Sequence, residues 1–226
     1  MNAKIGDWVV TPRIGKPVEV QALWLNALWI GSRFSPQWKE LFDKGKVSFE
    51  DRFWNEITSG LFDVIDCDHK PGVNDASLRP DQIFAVGGLP LQLIEGQRAS
   101  RLVETVETNL LTPIGLRSLA PTESAYVPRY EGGVLQRDGS YHQGTVWPWL
   151  TGPFVEAWLR VRKNTSEAKA EARTRFLPQL RDHLHEAGLN HISEIADADS
   201  PHTPRGCPFH AWSMGEYLRL LSALSQ

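Results

Sequence analysis

The chain has 226 residues, of which 41% are hydrophobic and 23% charged, a composition typical of a globular domain with a sizeable core. Its 24 Lys and Arg are outnumbered by 27 Asp and Glu and form no basic block, which argues against nucleic acid or an anionic membrane surface as a partner. The longest stretch without a charged side chain, residues 139–155, contains Pro148 and Pro153 and cannot form a membrane-spanning helix. With no secretory signal at its start and only two Cys, the sequence predicts a cytoplasmic protein with reduced thiols.

Helical patterns dominate the first half of the chain. Apolar residues at helical spacing cover nearly all faces of residues 18–30, which predicts a helix in a crowded interior. Ser35 and Pro36 predict a second helix that ends at Gly45, and Ser48 predicts the start of a third. Residues 95–111 are amphipathic, and one side carries Ala99, Leu102, Val103, Val106 and Leu110.

Three more helices are predicted in the second half: from Pro148 or Pro153 to Val161, over residues 166–187 closed by Gly188, and over residues 210–224. Only residues 61–66 alternate as a strand does. Long loops rich in Gly and Pro separate the helices, at residues 67–82, 112–145 and 189–208. Helical pairs with such loops fit an α/α toroid better than a four-helix bundle. We therefore expect residues 1–226 to form a single all-α unit.

Residues 141–149 (YHQGTVWPW) place aromatic rings, an imidazole and an amide around a glycine. Aromatic rings bury the apolar face of a pyranose, while polar groups at the rim meet its hydroxyls, so this segment suits a sugar. The alternative is that Trp147 and Trp149 fill a core, and composition alone does not separate the two interpretations.

Several acids lie in the aromatic loops. Glu194 is a plausible general base, because inverting glycoside hydrolysis needs one carboxylate to activate water and one carboxylic acid to protonate the leaving oxygen. A solvated charge is the usual role of a loop glutamate. Spacing does not choose among the remaining acids, Glu19, Asp81, Glu123, Glu131 and Asp138.

Eight fragments in order resemble one known family: residues 3–13 (AKIGDWVVTPR), 15–19 (GKPVE), 79–83 (RPDQI), 129–133 (RYEGG), 141–149, 193–195 (SEI), 205–207 (RGC) and 211–213 (AWS). Together they are similar to the C-terminal amylo-α-1,6-glucosidase domain of glycogen debranching enzymes. The resemblance implies an (α/α)6 toroid and inverting hydrolysis of α-1,6-linked glucose in glycogen or a branched α-glucan. It implies no cofactor.

The resemblance also assigns roles by position. Glu194 matches the family's general base. The positions expected to line the sugar subsite are Glu19, Arg79, Gln82, Arg129, Tyr130, Glu131, His142, Gln143 and Trp147. Their chemistry suits hydroxyl groups, since Arg and Gln donate hydrogen bonds and Glu accepts them. Glu19 also fits a charge favoured by a helix N-terminus, and Arg129 also fits a structural ion pair with Glu131.

One departure from the family pattern concerns the general acid. The family has an Asp in a Trp-Met-Asp-Ala segment, where this chain reads Met1-Asn2-Ala3. An amide cannot donate the proton that the leaving oxygen needs. The N-terminal helical pairs of the toroid are also expected to be missing, which would leave apolar faces for self-association or a partner chain. The alternatives to an active enzyme are a non-catalytic glucan-binding remnant and one half of a split enzyme.

Histidines and cysteines suggest no metal site. His183, His185 and His191 alternate across a predicted helix end, and His202, Cys207 and His210 straddle loop prolines. Structural zinc sites need tighter paired ligands, so we expect no bound metal.

Overall fold

A computed structural model describes residues 4–225. Its helices are α1 (Val18–Gly31), α2 (Pro36–Phe53), α3 (Gly96–Leu110), α4 (Val134–Ser140), α5 (Thr151–Val161), α6 (Ser166–His183) and α7 (Ala211–Ser225). Three 3₁₀ turns lie at Cys67–His69, Pro80–Ala85 and Pro148–Leu150. No helix within the described residues is long and apolar enough to cross a membrane.

Helix α1 confirms the first predicted helix. The preceding Pro17 has an extended backbone, and Val18, Ala22, Leu25 and Leu28 of the helix are buried. These side chains pack against α2 and against the Pro80–Ala85 turn. The apolar residues on the opposite side of α1 remain exposed. Helix α1 therefore has apolar side chains on two faces for different reasons. One face packs in the core, and the opposite face is not covered by any part of residues 4–225.

Helix α2 corrects the prediction of two helices over this region. Gly45 lies inside one continuous helix, and Ser48 continues it. A Cβ atom at Gly45 would lie 2.7 Å from Cδ2 of Leu25 in α1. Gly45 therefore permits close packing of α1 on α2, and its role is not to end a helix.

Helix α3 confirms the amphipathic prediction, because Ala99, Leu102, Val103, Val106 and Leu110 are its buried residues. Helices α5 and α7 also confirm predicted helices within one to three residues of the expected starts. Helix α6 begins at the expected residue, where the Thr165 hydroxyl accepts a hydrogen bond from the backbone N–H of Ala168 at 3.2 Å. It ends at His183, earlier than the predicted end at Ala187.

A β-sheet corrects the all-α prediction. Short strands occur at β1 (Lys4–Ile5), β2 (Trp8–Val9), β3 (Lys16–Pro17), β4 (Trp54–Asn55), β5 (Gly60–Leu61), β6 (Val64–Ile65), β7 (Leu111–Thr112), β8 (Gly115–Arg117), β9 (Val146–Trp147), β10 (Ile195–Ala196) and β11 (Pro204–Arg205). Five of them form an antiparallel sheet in the order β11-β10-β9-β8-β7. The predicted strand over 61–66 is split between β5 and β6, which pair with β4 and β3. The fold is thus mainly helical, with its long loops joined by a sheet.

The core accounts for part of the high tryptophan content. Trp158 in α5 is fully buried, and its ring centroid lies 5.4 Å from that of Phe176 in α6. Helix α5 packs on α3, α6 and α7, so this region is a helix-packed core. Trp147, Trp149 and Trp212 line a cleft that Glu19 and Leu23 of α1 also border.

Candidate functional site

A cleft of about 650 Å³ lies between α1, the Pro80–Ala85 turn, the segment around β9 and the start of α7. Its aromatic lining comprises Phe84, Tyr141, His142, Trp147, Trp149 and Trp212. Its acidic side chains are Glu19, Asp81 and Glu194. The volume fits small-ligand sites in proteins, and aromatic rings combined with a few carboxyl groups suit a polyhydroxylated ring.

Glu194 is positioned by the sheet. It directly precedes β10, and Ala196 of β10 pairs with Val146 of β9, which brings Glu194 beside Trp147. The Glu194 Oε1 atom accepts a hydrogen bond from the Tyr141 hydroxyl, and Oε2 accepts one from the Cys207 backbone N–H at 3.0 Å. Each oxygen keeps a further lone pair that can accept from a water or a ligand. Burial raises the pKa of Tyr141 well above its usual range, and the hydrogen bond to Glu194 raises it further.

The aromatic wall is formed by the segment that the sequence singled out. The His142 and Trp147 rings stack at 5.1 Å with planes 9° apart, and the Tyr141 ring meets the edge of each. The indole N–H of Trp147 donates to the backbone carbonyl of Tyr141 at 3.2 Å, which fixes the ring. Trp149 contacts Trp212 of α7 at 5.8 Å between centroids. Trp147 and Trp149 therefore border the cleft as well as the core.

His142 is uncharged at neutral pH. Burial, together with the positive charges of Arg79 and Arg13, lowers the pKa of His142 to about 4. A neutral imidazole has one donor and one acceptor nitrogen. His142 can therefore exchange hydrogen bonds with hydroxyl groups without adding a positive charge to the cleft.

Glu19, at the start of α1, forms the other wall. Both of its oxygens accept hydrogen bonds from the Arg13 guanidinium at 2.7 Å. Arg13 also donates to both oxygens of buried Asp63, at 2.7 and 2.8 Å. Burial opposes the charge of Arg13, but the hydrogen bonds to Glu19 and the charge of Asp63 outweigh it and raise its pKa. Arg13 and Asp63 were not predicted as site residues, since their importance lies in contacts between distant segments.

Three of the residues predicted to contact the sugar, Arg79, Gln82 and Gln143, lie beneath the cleft and form hydrogen bonds with other groups of the protein. Arg79 donates to the carbonyl of His142 and to the side-chain oxygen of Gln143, both at 2.6 Å. Gln82 accepts from the backbone N–H of Leu61 at 3.0 Å and donates to the carbonyl of Arg79 at 3.0 Å. All three predicted residues, Arg79, Gln82 and Gln143, are buried. Their observed contacts support the cleft wall from behind.

None of residues 129–131 is among the side chains that line the cleft. Arg129 and Glu131 are exposed and their charged groups lie 3.8 Å apart. Glu131 also accepts a hydrogen bond from Arg205 at 2.9 Å. The Tyr130 ring lies 5.7 Å from that of Tyr141, so it adjoins the aromatic wall. Asn2 lies outside the described residues.

The histidine sets do not assemble a metal centre. No group of three His, Cys, Asp or Glu within residues 4–225 is arranged to hold a metal ion. His183 is buried, and its ring nitrogens lie 2.9 Å from the Ser193 hydroxyl and 2.9 Å from the Glu186 carboxylate. Its contacts indicate a structural role beneath the loop that carries Glu194.

The sequence matches the family described as amylo-alpha-1,6-glucosidase over residues 1–219. The glycogen debranching enzyme of Saccharomyces cerevisiae is 25% identical over 260 aligned residues, which cover 90% of this chain and 16% of the yeast protein. The chain thus spans about one sixth of that relative.

Solved structures with a similar fold include the GH63 mannosylglycerate hydrolase from Thermus thermophilus in complex with Tris and D-glycerate. The TM-score is 0.59 at 20% identity, and the match covers 91% of this chain and 45% of the hydrolase. The same hydrolase in complex with glucose gives a TM-score of 0.58 at 21% identity, over 91% of this chain and 47% of the hydrolase. The chain therefore shares the fold of somewhat less than half of each structure.

Proposed function

This chain belongs to the amylo-alpha-1,6-glucosidase family, and we propose that it carries the glucose-binding cleft and the general base of an inverting glucosidase. The proposed ligand is α-1,6-linked glucose in glycogen or a related branched glucan. The proposed architecture is an α/α-toroid type of unit, extended by the sheet described above.

The position of Glu194 carries this proposal. The Tyr141 hydroxyl and the Cys207 N–H hold its carboxylate at the cleft, next to the stacked His142 and Trp147 rings. A pyranose lying against this aromatic wall would present its anomeric carbon to a water bound by Glu194. In the proposed reaction Glu194 takes a proton from that water, and the water oxygen attacks the anomeric carbon as the glycosidic C–O bond breaks.

The leaving oxygen also needs a proton. In our proposal Asn2 falls at the position of the family's general acid, and an amide has no carboxyl proton to give. Glu19 does not replace that acid in this proposal, because its carboxylate is ion-paired through both oxygens with the Arg13 guanidinium. Loss of a general acid costs about 10²–10⁴ in rate. We therefore propose that this chain binds the glucan and hydrolyses it poorly on its own.

A non-catalytic glucan-binding protein is the simplest alternative, and one observation favours a further alternative, half of a split enzyme. The outward faces of α1 and α2 carry large apolar side chains, Val20, Leu23, Trp24, Trp38 and Leu41, that are 45–56% exposed. Leu23 also borders the cleft, so this face is continuous with the site. Additional helices docked there would cover apolar surface and add a wall to the cleft.

The test measures isomaltose binding by calorimetry and glucose release from a branched limit dextrin. We expect wild type to bind isomaltose and release little glucose, and Asn2→Asp to increase release if the described cleft needs only the acid. Glu194→Gln should abolish that gain, whereas Glu40→Gln, on the exposed surface of α2, should not. Strong glucose release by wild type that is lost in Glu194→Gln would contradict impaired catalysis. Absence of isomaltose binding would contradict the proposal as a whole.

A further inference from the structure

Asp81 is a cleft residue to which no role has been assigned. It lies in the Pro80–Ala85 turn directly after buried Arg79, and its side chain borders the same cleft as Glu194. Its Oδ2 atom is shielded from solvent, yet no hydrogen-bond partner for it exists within residues 4–225. Buried carboxyl oxygens in folded proteins are nearly always paired, so this unpaired oxygen needs an explanation.

The surroundings of Asp81 make an unpaired carboxyl costly to the empty protein. Burial raises the pKa of Asp81 and the neighbouring charge of Glu19 raises it further, while Arg13 and Arg79 act in the opposite direction. An unsatisfied buried polar group destabilises a fold. A ligand that donates a hydrogen bond to Oδ2 would remove this cost on binding.

A second unpaired atom lies in the lining of the same cleft. The Nδ1 atom of His142 is also shielded from solvent and has no hydrogen-bond partner in the described part of the chain. Two unsatisfied polar atoms on one cleft match a ligand that carries several hydroxyl groups on a ring.

We propose that Asp81 is a ligand-binding residue whose free carboxyl oxygen hydrogen-bonds a hydroxyl group of the bound sugar. This inference rests on the proposed function and adds a specificity residue to it. A site whose buried polar group pairs with one hydroxyl discriminates strongly against an analogue that lacks it, because the protein group is then left unpaired. Asp81 would therefore recognise one particular hydroxyl of the glucose ring.

The experiment compares wild type with Asp81→Leu, which has a similar size and no polar atom, and with Asp81→Asn. In the absence of ligand we expect Asp81→Leu to keep its Tm or to raise it by up to about 4 °C, because an unsatisfied group is removed. Its affinity for isomaltose should fall at least about tenfold, since a hydrogen bond to a carboxyl group is lost. Asp182→Leu, at an exposed position of α6, should change neither quantity by a comparable amount.

Monodeoxy derivatives of isomaltose separate ligand contact from structural support. One deoxy position in the non-reducing ring should weaken binding to wild type about tenfold or more and have little effect on Asp81→Leu and Asp81→Asn. Equal isomaltose affinity in wild type and Asp81→Leu would overturn the inference while leaving the proposed function intact. Asp81→Leu and Asp81→Asn could instead lower both Tm and affinity while each still loses affinity for the same deoxy derivative as wild type does. That result would also overturn the inference, because Asp81 would then support the fold without contacting the sugar. No isomaltose binding by wild type would overturn the inference together with the proposed function.

Discussion

The two walls of the cleft hold their glutamates in different ways. Glu19 at the start of α1 has both oxygens engaged by one guanidinium, that of Arg13. Glu194, before β10, is held by one phenol and one backbone N–H, both of which are uncharged donors. Residue type alone therefore does not define a role. The charged Arg13 clamp suits Glu19 to a structural ion pair, while two neutral donors suit Glu194 to the role of a water-activating base.

The support behind each wall differs as well. Behind Glu19 lies a buried ionic network, in which Asp63 accepts from Arg13 and lies 3.6 Å from Arg79. Arg79 extends this network to the backbone carbonyl of His142. Behind Glu194 lies the aromatic group of Tyr141, His142 and Trp147. The ionic network should therefore dominate stability, and the aromatic group should dominate ligand binding.

The largest expected effect comes from Asp63→Asn. The change replaces an oxygen that accepts from Arg13 with an amide group facing the same guanidinium, and breaking a buried ion pair typically costs about 3–5 kcal/mol. Urea unfolding followed by circular dichroism measures the loss. Asp43→Asn is the matched control, because Asp43 and its partner Lys39 have side chains 55% and 64% exposed, and its loss should be much smaller. Equal losses in the two variants would mean that the buried network gives no special support to the Glu19 wall.

A smaller effect is expected from Tyr141→Phe. The ring keeps its contacts with His142 and Trp147, but Glu194 loses the phenol that orients it. We expect a loss of about 1 kcal/mol in stability and about two- to tenfold weaker isomaltose binding by calorimetry. Tyr217→Phe, in the buried part of α7, should leave the affinity unchanged. If both variants bind isomaltose equally well, the phenol does not position Glu194 for the ligand.

Much of the helical framework could be predicted, because helices leave a local signal. The buried face of α3 follows directly from apolar spacing in its own sequence. Gly45 shows the limit of that signal. A glycine that permits close packing against Leu25 looks the same in the sequence as a glycine that ends a helix. The five-stranded sheet was missed because its strands are two or three residues long and too short to alternate. Its pairing partners are also far apart in the sequence.

Cleft-lining residues could be predicted where they belong to one segment. The segment of residues 141–149 contains Tyr141, His142 and Trp147, which border the cleft as its composition suggested. Arg79 and Gln82 lie instead beneath the wall, because long polar side chains reach buried carbonyls as well as ligands. Asp81 was only one of several undistinguished acids in the sequence. Its unpaired oxygen is a property of the folded cleft, which no local pattern reveals.

The most direct test of the account is thermal unfolding of the wild-type chain with increasing isomaltose. A ligand that binds only the folded state raises its stability by RT ln(1 + [L]/Kd), about 2.7 kcal/mol at 100 times Kd. Mannitol at equal concentration is the control, because it has hydroxyl groups and no pyranose ring to lie on the aromatic wall. We expect a Tm that rises with isomaltose well above the rise with mannitol. Identical Tm values with the two compounds at every concentration would contradict a glucose-binding cleft.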